Sequence, residues 1–176
     1  SPSRGLGDVY KRQDVMSGDF QAAEFAADLH QVRVGKVKNP EYADPVEFFN
    51  RTYLTEGLRD LLSRSLRRLG GDENASPVIN LQTNFGGGKT HSMLALYHLF
   101  SQTDPQSFPQ EVQELVDESG VNPADLEVKR VALVGTHLEP AKVSVKEDGT
   151  EVHTLWGELA WQLGGREGYE ICLLYT

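Results

Sequence analysis

The chain has 176 residues, of which 39% are hydrophobic and 24% are charged, and its net charge at pH 7 is −9. This length and composition are typical of one globular domain with a substantial core. The acidic surface repels nucleic acid in bulk, so any DNA contact needs a local patch. The longest apolar stretches of the chain are shorter than a bilayer-spanning helix. Cys172 is the single cysteine, which excludes an internal disulfide, and we expect a cytoplasmic protein without membrane contact.

The two ends differ in character from the rest of the chain. Residues 1–13 and 171–176 resemble translated sequencing-adapter sequence, and we expect both to be non-native tails. Between them, residues 14–71 are predicted to form a helical segment that packs on an ATPase core. Residues 72–170 are predicted to be the N-terminal part of that ATPase domain.

Helix signals dominate the first part of the chain. The pattern predicts a helix over residues 20–34 that ends at Gly35. The segment Asp-Pro-Val-Glu at 44–47 combines an N-cap, a proline at the first position and a capping-box glutamate. Thr55 begins a further helix over 56–69, in which leucines share one face and arginines the other. The arginine face could contact DNA phosphates, but a solvated helix face is the favoured interpretation.

A glycine-rich segment then separates an apolar run from a helical pattern. Residues 77–81 read as a short strand, residues 91–100 as a buried helix, and Thr83–Thr90 between them has the sequence Thr-Asn-Phe-Gly-Gly-Gly-Lys-Thr. Glycines let successive backbone N–H groups point into one concavity, and the helix N-terminus adds its dipole to the same anion site. The segment therefore predicts a phosphate-binding loop that holds a nucleoside triphosphate.

Each residue of the predicted site has a chemical role. The backbone around the glycines cradles the phosphates, the lysine stabilises charge on the β- and γ-phosphates, and the threonine hydroxyl ligates Mg²⁺. Lys89 and Thr90 are the candidate catalytic residues, and Thr90 is the candidate metal ligand through the nucleotide. The residues predicted to bind ATP are Phe85, Gly86, Gly87, Gly88, Lys89, Thr90 and His91, the last through its amide while its ring packs.

One departure weakens the motif. Phosphate-binding loops usually open with glycine, and here that position is Thr83. A β-branched residue rarely adopts the left-handed geometry that glycine allows. The competing interpretation is a glycine-rich turn before a buried helix.

The remaining patterns complete the predicted fold. They are a helix over 109–119, a strand over 128–134, a hairpin over 142–154 turning at Asp148-Gly149, and an amphipathic helix over 155–163. Strand, loop, helix and a second apolar strand are typical of a phosphate-loop NTPase. We expect an α/β fold, an incomplete P-loop NTPase core with a parallel sheet flanked by helices, preceded by an N-terminal helical segment.

An ATPase also needs an acidic residue after an apolar strand, to hold Mg²⁺ and activate water. The segment Leu115-Val116-Asp117-Glu118 has apolar residues followed by acidic ones, as this motif requires. The surrounding pattern, however, predicts a polar helix there. We therefore expect the acidic strand to follow residue 170. The five histidines show no metal-ligand spacing with a carboxylate. The aromatic segment 48–53 could contact adenine, although core packing is the favoured interpretation.

The chain resembles the domain-of-unknown-function 499 family of large prokaryotic AAA-type ATPases. The resemblance rests on segments 22–29, 47–58, 82–97 and 156–165, and most of all on Asn-Phe-Gly-Gly-Gly-Lys-Thr-His, since the family also lacks the leading glycine. It implies ATP binding, ATP hydrolysis by a longer protein, and an N-terminal fragment here. Family members are often encoded beside DNA methyltransferases or helicases in phage-defence islands, so self-association as a ring and DNA, methyltransferase or helicase partners through other regions are further expectations.

Two other functional classes stay open. A nucleotide-controlled switch or scaffold would bind ATP without hydrolysis, as the missing acidic strand suggests. A small-molecule kinase is disfavoured because the sequence shows no acceptor site and no basic lid. We expect isolated residues 1–176 to bind ATP but hydrolyse it poorly.

Overall fold

The computed structural model describes residues 29–37, 40–82, 88–135 and 143–174. The predicted tail at residues 1–13 and most of the predicted helix over 20–34 lie outside these ranges. The described end of that helix is Leu29–Arg33, and Gly35 follows in the left-handed region with φ of 67°.

Helices account for most of the described residues, which also contain two short strands. The helices are α1 (Leu29–Arg33), α2 (Pro40–Ala43), α3 (Pro45–Asn50), α4 (Glu56–Leu69), α5 (Lys89–Leu99), α6 (Gln110–Ser119) and α7 (Leu155–Leu174). Single 3-10 turns lie at Pro105–Ser107 and Pro123–Asp125, and the strands are β1 (Ser144–Val145) and β2 (Glu151–Val152).

Capping residues set the helix boundaries, as the sequence predicts. Asp44 Oδ1 accepts hydrogen bonds from the amides of Val46 and Glu47, both at 2.9 Å, and so begins α3. Thr55 Oγ1 accepts from the Leu58 amide at 3.2 Å and begins α4. Each cap satisfies amide donors that have no acceptor inside the helix.

The core forms where α4 packs against α5 and α6, with α3 against α5. The leucine face predicted for α4 is confirmed, because its apolar stripe is buried; Leu69, at the exposed end of the helix, is an exception at 47% exposure. This stripe packs with two phenylalanines and with the apolar faces of α5 and α6 to form one core. Its buried members are Phe48, Phe49, Leu58, Leu61, Leu62, Leu66, Leu94, Ala95, Leu99, Phe100, Phe108, Val112, Leu115 and Val116.

The predicted α/β fold with a parallel-sheet P-loop NTPase core is wrong. Residues 77–81 and 128–134, predicted as parallel strands, are irregular segments. The strands of the described residues are β1 and β2, which pair antiparallel in the register Ser144 to Val152 and Val145 to Glu151. The described architecture is therefore mainly helical.

Packing on helices explains why these two apolar runs are not strands. Ile79, Leu81 and Val128 are partly buried against the helical core, whereas Val78 is 76% exposed. A parallel strand needs neighbours that take its N–H and C=O groups. The N–H and C=O of Ala132 are instead bonded by the side-chain amide of Gln162, at 2.9 and 3.1 Å. Apolar runs of this length do not distinguish a strand from another packed segment.

The hairpin is confirmed at 144–152, with Gly149 at φ of 82° in its turn. The helix after it has a break at Gly165, where φ is 60° and ψ is −148°, and this break coincides with the predicted end of the helix after residue 163; helical structure then resumes and reaches Leu174. The sequence pattern aligns Trp156, Leu159 and Leu163 as an apolar stripe, but Trp156 is 66% exposed. Among the described helices, none has the length and apolarity needed to cross a membrane.

The buried face of α7 carries a charge. Glu158 is 4% exposed and bonds Lys146 Nζ at 2.5 Å and Gln162 Nε2 at 2.9 Å. Gly157 beside it lies so close to the Tyr169 ring that an added Cβ would be 2.8 Å from a ring carbon. The bond from Lys146 joins the hairpin to α7, and the contacts of Gln162 and Tyr169 lie within α7 on the same buried face.

Candidate functional site

The predicted phosphate-binding segment leads directly into α5. Gly88 is the N-cap of this helix and adopts the left-handed conformation, with φ of 73° and ψ of 15°. Its carbonyl accepts the first helical hydrogen bond, from the Ser92 amide at 2.9 Å. Glycine adopts this conformation without strain, and it has no side chain with which to cap the amides of the first turn.

Lys89 and Thr90 occupy the first two positions of α5. Thr90 is exposed and Lys89 is partly exposed. The helix N-terminus carries partial positive charge from its aligned peptide dipoles, and the lysine adds a full charge beside it. This arrangement can bind an anion and can present a hydroxyl to a metal ion that accompanies it.

Four of the seven predicted binding residues are described, namely Gly88, Lys89, Thr90 and His91. Gly88, Lys89 and Thr90 lie together at the start of α5, on the exposed side of the helix terminus. Phe85, Gly86 and Gly87 lie outside the described residues, as does Thr83.

The His91 ring packs against α3, as the sequence predicts. Its Nε2 lies 3.0 Å from Thr52 Oγ1, and its ring centroid lies 4.7 Å from that of Phe48 at an interplanar angle of 32°. Burial lowers the pKa of His91 below its ordinary value, so the ring is neutral near pH 7. The first turn of α5 is thereby attached to the end of α3.

Hydrogen bonding assigns the tautomer of His91. The Thr52 hydroxyl donates its single proton to the Phe48 carbonyl at 2.7 Å. It must therefore accept from His91, since a hydroxyl has one proton and two lone pairs. The neutral His91 ring consequently carries its proton on Nε2.

A second histidine contacts the same phenylalanine. The Phe48 ring lies 4.9 Å from the ring of His98, which is 2% exposed and whose Nε2 lies 3.0 Å from the Tyr42 carbonyl oxygen. Burial lowers the pKa of His98, the bond to Tyr42 opposes this shift, and the nearby Arg130 adds to it. Phe48 thus packs between two rings that lie one above the other on α5.

The aromatic segment 48–53 is used mainly for packing. Phe48 and Phe49 are each 2% exposed and belong to the core, whereas Tyr53 is 80% exposed. The buried rings have no face available to stack on a base. The core-packing interpretation of the two phenylalanines is therefore the one that the structure supports.

The acidic candidates inside the chain lie on a helix, as predicted. Asp117 and Glu118 are on the exposed face of α6, and Glu118 pairs with Arg59 of α4 at 3.2 Å. They do not follow a strand. In the ranges that the structure covers, no group of three or more histidine, cysteine or acidic residues is arranged to hold a metal ion.

The sequence gives no indication of the contact between Thr52 and His91. The two residues are 39 positions apart, and the pattern gives no signal for a hydrogen bond over that separation. A cavity of about 430 Å³ lies elsewhere, between the hairpin and α7, lined by residues that include His153, Arg166 and Tyr169 but none from α5.

Comparison with known proteins gives one family. The family model of the DUF499 N-terminal domain matches residues 5–172. Neither a curated protein nor a solved structure matches the chain.

Proposed function

This chain belongs to the DUF499 N-terminal domain family, and we propose that it binds ATP with Mg²⁺ at the start of α5. The observation that carries the proposal is Gly88 in the left-handed conformation as N-cap, directly before Lys89 and Thr90. Three glycines followed by lysine and threonine supply the donors that a triphosphate requires. This donor set is local to one loop and one helix terminus, so it does not depend on the parallel sheet.

In the proposed complex, the amides from Gly86 to His91 donate to phosphate oxygens. Lys89 would stabilise charge on the outer phosphates, and the exposed hydroxyl of Thr90 would supply one ligand to the Mg²⁺ bound with the nucleotide. Phe85 precedes the glycines and completes the proposed binding segment.

We further propose that the whole protein is an AAA-type ATPase, with its acidic residue supplied from outside residues 1–176. A ring-like assembly and a DNA-modification partner belong to the same proposal. By this account the present chain binds ATP and turns it over slowly.

The second candidate is a nucleotide-controlled switch that binds ATP without hydrolysing it. The observation that favours it is the position of Asp117 and Glu118 on the solvent face of α6, where they do not follow a strand. Under this alternative, bound ATP would act through its contacts with the first turn of α5.

Magnesium dependence tests the binding proposal. Calorimetric titration with ATP should show tighter binding in Mg²⁺ than in EDTA for the wild-type chain. Thr90→Val keeps the shape of the side chain and removes the ligand oxygen, so the difference between Mg²⁺ and EDTA should largely disappear. An unchanged magnesium effect in Thr90→Val would contradict the assigned role.

Phosphate release separates the two candidates. Both predict little release by residues 1–176 alone, whereas only the ATPase predicts release by the whole protein. Substituting Lys89 in the whole protein should then abolish that release. Whole protein that binds ATP without releasing phosphate would favour the switch.

A further inference from the structure

We propose that Thr52 is a positioning residue for the nucleotide site, acting through the ring of His91. This inference rests on the proposed function, since it concerns the same first turn of α5. Thr52 lies outside the predicted phosphate-binding residues 85–91, and it follows α3 directly, well before α5 begins.

Thr52 is held on both sides. It is 9% exposed, and its amide donates to the Phe49 carbonyl at 3.2 Å. Its hydroxyl donates to the Phe48 carbonyl at 2.7 Å and accepts from His91 Nε2 at 3.0 Å. The hydroxyl proton is committed to α3, so the lone pair that faces His91 has a fixed direction.

Packing against Phe48 restricts the orientation of the His91 ring that bonds to Thr52. The His91 ring lies against Phe48, whose other contacts include the buried ring of His98. A ring held by a hydrogen bond at its edge and an aromatic contact on its face has little freedom to rotate.

The geometry places this restraint next to the proposed ligands. His91 directly follows Thr90, and the carbonyl of Gly88 begins the same helical turn. Fixing the His91 ring against α3 therefore fixes the direction in which the amides of the first turn point. Preorganised donors bind a ligand more tightly than donors that must first be ordered.

Calorimetry with Mg-ATP on the full 176-residue chain tests the inference. Thr52→Val should weaken binding roughly 2- to 10-fold, the range expected for loss of one hydrogen bond. Thr52→Ser keeps both bonds and should stay within about twofold of wild type. Ser65→Ala is the matched control. It also removes a hydroxyl that donates to a carbonyl four residues earlier, that of Leu61 at 2.8 Å, but this bond lies within α4. It should leave ATP affinity unchanged.

A double-mutant cycle separates positioning from a general loss of stability. His91→Phe keeps a ring against Phe48 and removes Nε2. If Thr52 acts through His91, Thr52→Val should have no further effect on ATP affinity in the His91→Phe background. Equal effects of Thr52→Val in both backgrounds would overturn the inference.

A spectroscopic readout makes the inference independent of ATP binding. Side-chain ¹⁵N spectra should show neutral His91 with its proton on Nε2 in wild type and Thr52→Ser, and a mixture of tautomers in Thr52→Val. Wild-type chain that shows this signature but does not bind Mg-ATP would refute the proposed function while leaving the fixing of His91 by Thr52 intact. An unchanged tautomer in Thr52→Val would overturn the inference whatever the affinity.

Discussion

The helical core, α3 to α6, and the C-terminal unit, residues 143–174, are held together by different chemistry. In the helical core, leucine and phenylalanine side chains from four helices are almost fully buried. In the C-terminal unit the buried residues include Glu158 together with Val152 and Tyr169, and Lys146 pairs with the glutamate. The first is stabilised by apolar area, which is not directional. The second depends on a few contacts with defined geometry.

This difference decides what a hydrophobic pattern can predict. A stripe of leucines at helical spacing identifies a buried face of α4 because area is what matters there. A buried glutamate contradicts the rule that charges face solvent, so the pattern assigns the wrong face of α7 to the interior. The proposed nucleotide site lies at the edge of the helical core, where α5 begins.

Removing an apolar side chain from the helical core should have the largest effect. Leu62 is fully buried on α4, so Leu62→Ala should lower the free energy of unfolding by about 3–5 kcal/mol. Leu69→Ala removes the same atoms at a position that is 47% exposed and should cost less than about 1 kcal/mol. Chemical denaturation of both variants measures the contrast. Similar losses would refute the described core.

Removing the buried charge of Glu158 should lower the free energy of unfolding by less than Leu62→Ala does. Glu158→Gln leaves Lys146 without a counter-ion and should cost about 2 kcal/mol, as for a hydrogen bond to a charged group. Glu170, which is paired with Arg166 at 3.0 Å, has a side chain that is 60% exposed, so Glu170→Gln should cost less than about 0.5 kcal/mol. The same denaturation experiment applies, and equal costs would contradict the burial of Glu158.

Substitution of two glycines with similar dihedrals distinguishes an effect of backbone strain from an effect on ligand binding. Gly88 and Gly120 have φ of 73° and 66°, and neither has an atom within 4 Å of an added Cβ. Gly88→Ala and Gly120→Ala should each cost about 1 kcal/mol in stability. By calorimetry, only Gly88→Ala should also weaken Mg-ATP binding. An equal effect of Gly120→Ala on affinity would show that the loss reflects general destabilisation.

Acid should affect the two regions in different pH ranges. The pKa values of His91 and His98 are lowered by burial from 6.5, so the unfolded chain binds protons first and stability falls as the pH drops below about 6.5. Burial raises the pKa of Glu158, but Lys146 and Gln162 outweigh it and the net shift is downward from 4.5, so its contribution is lost only below about pH 4.5.

The loss of folding stability between pH 7 and pH 6 is the smallest effect expected, at most about 0.7 kcal/mol for each of His91 and His98. Denaturation at the two pH values should therefore show a smaller loss for His98→Gln than for wild type. Glu158→Gln should show the wild-type loss in this range. A larger loss in His98→Gln would contradict a neutral, buried His98.

The sequence predicts the described helices well where local chemistry decides. Asp44, Thr55 and Gly120 mark helix boundaries through their own side chains or backbone conformation, and the structure places α3, α4 and α6 accordingly. The hairpin at Asp148-Gly149 is a local signal of the same kind. These boundaries need no knowledge of distant residues.

The features that the sequence does not predict depend on contacts between residues far apart in the chain. Whether residues 128–134 form a strand depends on which partner takes the Ala132 backbone, and Gln162 is 30 positions away. The bond between Thr52 and His91 spans 39 positions. Neither leaves a periodic trace in the sequence. In the candidate site, Gly88, Lys89 and Thr90 form a motif because they are adjacent in sequence, whereas Thr52 belongs to no such motif.

Binding of ATP is tested by calorimetric titration of Mg-ATP into the wild-type chain and into Lys89→Ala. We expect measurable binding by wild type, weakened roughly tenfold or more in Lys89→Ala because a charged donor to the phosphates is lost. Lys36→Ala, at an exposed position after α1, should bind as wild type does. Equal affinity of wild type and Lys89→Ala, or no binding by wild type, would contradict the proposed ATP binding.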